Sequence, residues 1–204
     1  MRNNKVRFWV SRPNICINES KWGNDGNQVL LLTGLVGAGK TTICREFCKK
    51  YDSKCISFDA LKFYDEANEK SKKEIDMFTK IYPEIIPLIK NHWFETDNTN
   101  TNDELYTKFC TIFFDYIIEK YNNSNNRIVF EGIQIFVRIP IEKCRTMPCY
   151  ILRTSAVKCC KRFIHRDFIK SRKAYNFLNL IKLCRTYFII QLKMINKFIN
   201  FMGQ

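Results

Sequence analysis

Apolar residues fall in short blocks along this chain, separated by longer stretches in which they recur at helical spacing. The stretch VLLLTG at 29–34 is four apolar residues, a threonine and a glycine. That is the pattern of a strand buried on both faces of a parallel sheet. KCISF at 54–58, RIVFEG at 127–132 and CYILR at 149–153 repeat it. Helices are predicted over 39–51, over 59–78 with charges on the exposed face, and over 104–121 with Asp103 as N-cap. Two prolines within 82–87 and the Asn/Thr-rich 91–103 interrupt the periodicity. From 155 onward the pattern is helical again, with a last segment at about 175–202. VRFWV at 6–10 is a candidate edge strand. Strands alternating with helices predict an α/β fold of three layers around a mostly parallel sheet.

Composition narrows the classes. A chain of 204 residues, 46% apolar, is long enough for one compact domain. It has only seven glycines, and three of them fall within 34–39. Ten cysteines without a C-x-x-C, and only two histidines, argue against a zinc site. The cysteines are expected to be small buried residues in a reducing compartment. The charged first ten residues lack a secretory signal, and no run of about 18 uncharged apolar residues is present. A cytoplasmic location and no membrane partner are therefore expected. The net charge is +14, of which +13 lies in residues 134–204, where 15 Lys and Arg face only Glu142 and Asp167. Such a one-sided field attracts phosphates, nucleic acid or an anionic membrane.

Residues 34–41, GLVGAGKT, match G-x-x-x-x-G-K-[ST], the Walker A pattern, between a predicted strand and a predicted helix. Glycines let backbone N–H groups converge on phosphate oxygens, and the helix start adds its dipole. Gly34, Val36, Gly37, Ala38, Gly39, Lys40, Thr41 and Thr42 are the candidate nucleotide-binding residues. Lys40 would reach the β- and γ-phosphates, and the Thr41 hydroxyl could coordinate Mg²⁺. ATP and Mg²⁺ are thus the expected cofactors. Asp59 follows the second strand and Glu131 ends the third. In a parallel sheet both lie beyond strand carboxyl ends, on the side of the phosphate loop. Either acid could accept a proton from an acceptor hydroxyl or, with Thr41, hold the metal. Asp59 could instead cap the helix after it.

GLVGAGKTT, SFDAL, FEGIQIF and TSAVKCCKRFIHRDF, taken in order, resemble the small P-loop kinases, including nucleoside, nucleotide and zeta-toxin-like kinases. The resemblance runs over about 29–167. It implies an ATP-dependent phosphotransferase in which Asp59 and Glu131 serve the acceptor. It also implies a helical lid whose arginines clamp the transferring group, here Arg162 and Arg166. Charge spread over phosphoryl oxygens is what such arginines would stabilise. Gln134 stands where nucleoside-monophosphate kinases carry a basic residue. No strand-like run follows the lid, where many of these kinases place a fifth strand.

The implied organisation is an N-terminal extension (1–27) and a kinase domain (28–173) with an acceptor-side insertion (65–103) and lid (154–173). A C-terminal amphipathic helix (174–204) follows. Phe78, Tyr82, Trp93 and Phe94 could line the acceptor pocket. The last helix could dock on the core, form an oligomer surface or lie on a membrane. The favoured function is γ-phosphoryl transfer to a hydroxyl of a small, nucleoside-like molecule. The alternatives are a kinase of nucleic-acid ends, motivated by the basic third, and a nucleotide-dependent switch without catalysis.

Overall fold

The computed structural model describes residues 15–17, 21–23, 27–61, 64–65, 67–86, 100–165, 185 and 189. Five strands form one sheet: β1 (Ile15–Ile17), β2 (Val29–Gly34), β3 (Lys54–Ser57), β4 (Ile128–Glu131) and β5 (Cys149–Leu152). Their order is β1-β5-β2-β4-β3. All neighbours are parallel except β1, which pairs antiparallel with β5. Among the described residues the helices include α1 (Lys40–Tyr51), α2 (Glu69–Ile81), α3 (Asn100–Asn122), α4 (Gln134–Arg138), α5 (Ile141–Arg145) and α6 (Ala156–Ile164). This is an α/β fold with a mostly parallel central sheet. Among the described residues, no helix is long and apolar enough to cross a membrane.

Every residue of β2 and of β4 is buried, as strands central to a parallel sheet must be. The fifth strand, β1, precedes the 34–41 loop in sequence and lies at the sheet edge, and the run at 6–10 lies outside the described residues. The helix predicted over 59–78 is divided. Phe58–Leu61 is a 3₁₀ turn, and α2 starts where the Asn68 side chain accepts from the Ser71 N–H at 2.8 Å. Helix α3 begins ahead of Asp103, so that residue is not its N-cap. Helices α4 and α5 span five residues each, too few to show a helical period in sequence.

Aromatic rings fill the layer between the sheet and α2–α3. Phe58 packs on Phe130 at 5.2 Å, and Phe78 on Phe113 at 5.0 Å between ring centres. Phe78 is fully buried in this core, so it is packing rather than pocket lining. Tyr82 lies 4.9 Å from it, and Trp93 and Phe94 lie outside the described residues. The same layer holds one buried carboxylate, Glu74 of α2. Burial pushes its pKa up, but Lys120, Tyr121 and Lys70 bond it and hold it below the ordinary range. The Tyr121 hydroxyl donates to it at 2.6 Å and Lys120 at 2.7 Å. Fully bonded in this way, the charge ties α2 to α3 instead of disrupting the core. The rings of Trp22 and Tyr51 meet at 5.0 Å, which fastens the N-terminal extension to α1.

Candidate active site

Strand β2 delivers the chain into the 34–41 loop, and α1 leaves from it. Gly37 (φ 77°) and Gly39 (φ 99°) hold left-handed backbone that a side chain would strain. At Gly37 a Cβ would also stand 2.6 Å from the Cys159 carbonyl oxygen. The Gly39 carbonyl accepts from Thr42 and Ile43 at 3.1 Å, which starts α1 and leaves the N–H groups of its first residues without an intrahelical partner. Lys40 is buried. Its ammonium donates to the carbonyls of Gly34 (3.3 Å) and Leu35 (3.2 Å), so the side chain runs back along the loop. Thr41 and Thr42 are exposed at the helix start, and Val36 packs partly against the core.

The sheet register sets the acids. Glu131 is opposite Leu32 of β2 on one side and Ser57 of β3 on the other, at the carboxyl edge of all three strands. It is buried, with its pKa pushed up to about 7. Burial is the main cause and the Asp59 charge adds to it, while Lys40 and a hydrogen bond with Ser57 act in the opposite direction. Glu131 is therefore close enough to Asp59 and to Lys40 to sense the charge of each.

Asp59 has a second task. Its Oδ2 accepts from the Ile133 N–H and its Oδ1 from the Gln134 N–H, both at 3.3 Å. It caps α4, across from β4, and not the helix that follows it in sequence. Gly132 permits this approach, since a Cβ there would meet Phe58 Cβ at 2.8 Å and Asp59 Oδ1 at 3.0 Å. Helix α4 carries Arg138 at its other end. The Arg138 guanidinium lies 5.3 Å from the ring centre of Tyr106 and donates to the Thr107 hydroxyl at 2.9 Å. Burial first, then Cys110 and the Asp59 charge, raise the Tyr106 hydroxyl well above its ordinary pKa. This polar group on α3 and α4 gave no contiguous signal in the sequence.

On the other flank, Ser155 caps α6 through a bond from the Lys158 N–H at 3.3 Å. Arg162 of α6 donates through Nη1 to the carbonyls of Gly37 (3.1 Å) and Ala38 (3.3 Å). The predicted lid arginine is thus against the glycine loop. Its companion, Arg166, lies outside the described residues. Thr154 donates to the same Ala38 carbonyl at 3.2 Å, a contact that nothing in the motif announced.

The cysteines depart from expectation at one place. Cys44 of α1 and Cys55 of β3 form a disulfide, with Cα atoms 6.3 Å apart. Cys110, Cys144, Cys149 and Cys159 are buried, as anticipated. The alternation of apolar blocks could not reveal the pairing, because it depends on α1 crossing β3 at one height.

No family model matches the chain, and no curated protein matches it. Among solved structures it is similar to a crystal structure of TT1252 from Thermus thermophilus. The two share 14% identity with a TM-score of 0.40, over 68% of this chain and 72% of that one.

Proposed function

We propose that this protein is an ATP-dependent kinase that moves a γ-phosphoryl group to the hydroxyl of a small, nucleoside-like acceptor. The observation that carries the reading is a convergence at the carboxyl edge of β2, β3 and β4. There the glycine loop, the buried Lys40 ammonium and the buried Glu131 carboxylate share one corner. The N–H groups of the loop and of the α1 start would cradle phosphate oxygens, with Lys40 turning from its loop carbonyls to the β- and γ-oxygens. Glu131 would take the acceptor proton as the acceptor oxygen bonds to phosphorus and the bond to the nucleoside diphosphate breaks. Asp59 would fix the backbone after Glu131, and Arg162 would meet the charge on the transferring group.

A hard divalent cation suits the oxygen donors available. Among the described residues no three acidic, histidine or cysteine side chains cluster, so Mg²⁺ would draw on Thr41, a carboxylate of the Asp59–Glu131 pair and phosphate oxygens. When bound, it would neutralise phosphate charge. A cytoplasmic location belongs to the same reading. The Cys44–Cys55 bond is the observation against it, because reducing compartments disfavour disulfides.

Transfer of label from γ-labelled ATP to a panel of nucleosides, other hydroxyl compounds and 5′-hydroxyl oligonucleotides tests the reading. Label in a nucleoside supports it. Label only in oligonucleotides transfers the assignment to a nucleic-acid end kinase. Binding of ATP with no label transferred anywhere favours the switch.

A further inference from the structure

We propose that Thr154 is a positioning residue of the phosphate loop, holding one peptide unit so that its N–H faces the nucleotide. The inference rests on the nucleotide-binding reading of the loop. The Ala38 carbonyl oxygen receives two donors, the Thr154 hydroxyl at 3.2 Å and Arg162 Nη1 at 3.3 Å. No peptide bond of the described residues is cis. In a planar trans peptide the C=O and N–H point in opposite directions. Fixing the Ala38 oxygen toward Thr154 therefore turns the Gly39 N–H to the other side of the loop, away from β5 and α6. Gly39 carries the left-handed backbone (φ 99°) that makes this peptide free to turn over in the absence of a tether.

The two donors are not equivalent. Arg162 is exposed and charged, and a phosphoryl group would draw it off the carbonyl. Thr154 is half-buried and anchored by its neighbours. Its own carbonyl accepts from Cys159 Sγ at 3.9 Å, the Ser155 carbonyl accepts from the Cys159 N–H at 3.0 Å, and the Ser155 side chain caps α6. Once the guanidinium leaves, the hydroxyl alone holds the peptide. Thr154 thus acts through Gly39 and touches no substrate.

The test compares Thr154→Val, which keeps the shape and removes the donor, with Thr154→Ser, which keeps the donor. The readouts are titration calorimetry of the full chain with Mg²⁺ and the β,γ-imido analogue of ATP, melting without nucleotide, and KM for ATP against kcat. Loss of one neutral hydrogen bond predicts affinity about tenfold weaker in the valine variant and wild-type affinity in the serine variant. KM should rise more than kcat falls, with melting of the free protein little changed. Thr154→Ala, tested beside it, should match the valine variant and serves if valine does not fold. Wild-type affinity in the valine and alanine variants overturns the inference while leaving the kinase reading intact. Equal weakening in the serine variant also overturns it, because the methyl group and not the hydroxyl would then matter. Failure of the wild type to bind the analogue defeats the nucleotide reading, and the inference with it.

Discussion

The two halves of the site are built by different means. The proposed nucleotide half is backbone: left-handed glycines, the start of α1, and carbonyls held by Lys40, Thr154 and Arg162. The proposed acceptor half is side chains from separate elements: Glu131 ends β4 and Asp59 lies in the turn after β3, with Tyr106 of α3 within reach of the Asp59 charge and Arg138 of α4 beside that ring. A backbone site needs consecutive residues, so it is written as one motif. A side-chain site can be assembled from anywhere the topology brings together. The contrast extends to charge. The nucleotide half presents N–H groups and cations, whereas the acceptor half buries a carboxylate whose pKa rises to about 7.

The largest expected effect comes from the nucleotide half. Lys40→Ala should lower phosphoryl transfer by about 10³-fold or more, since it removes the one ammonium in the loop. The Lys40 ammonium also ties two loop carbonyls, so hydrogen exchange at the amides of 34–39 should quicken as well. A variant retaining more than a tenth of wild-type kcat in steady-state assays would remove Lys40 from the chemistry.

On the acceptor half, Glu131→Gln should lower kcat by about 10²–10⁴-fold, the range for a lost general base, with ATP affinity nearly kept. The pH dependence of stability sharpens this. Between the ordinary carboxylate value and about 7, the folded protein holds a proton on Glu131 that the unfolded chain releases. Stability from this group is therefore complete below the ordinary value and is lost as pH rises through about 7. Wild-type melting temperature should fall between pH 5 and pH 8 by more than that of Glu131→Gln. Parallel curves for the two proteins would show that Glu131 is not a buried, raised acid.

The Cys44–Cys55 bridge joins the helix of the nucleotide half to the strand that leads to Asp59. It closes a loop of 11 residues' separation, worth about 3 kcal/mol by chain entropy. Reduction with a phosphine should lower wild-type melting temperature and leave Cys55→Ala unmoved. An equal shift in both would mean that the bridge is not the target.

The smallest effect separates the two acids. Asp59 has both carboxylate oxygens on backbone N–H groups, so Asp59→Asn should cost about 1–2 kcal/mol of stability, as loss of a cap does. Its kcat should fall by less than that of Glu131→Gln. If instead Asp59→Asn loses as much kcat and no stability, the roles given to the two acids must be exchanged.

Much of this arrangement was legible in the sequence. Strands β2 to β5 and helix α1 follow from apolar runs and the glycine motif, and the positions of Asp59 and Glu131 follow from strand ends. What was not legible depends on three-dimensional register. Asp59 caps α4 because β4 lies between β2 and β3, a strand order that alternation of residues does not encode. The later start of α2 turned on Asn68 acting as a cap within a stretch whose charges suit a helix. Arg138 and Tyr106 are 32 positions apart in sequence and meet only because α3 lies beside α4. Thr154 looked like any residue before a helix cap, and its hydroxyl matters only because the loop passes beside it.

The central claim is that residues 34–41 hold the phosphates of a nucleotide, and ligand-dependent melting of the wild-type chain tests it most directly. With Mg²⁺ and the β,γ-imido analogue at about 100 times the dissociation constant, stability should rise by about 2.7 kcal/mol. Lys40→Ala at the same concentrations should show little of that rise. A wild-type melting temperature that does not move with ATP, its analogue or GTP, while the protein remains folded, would contradict the account.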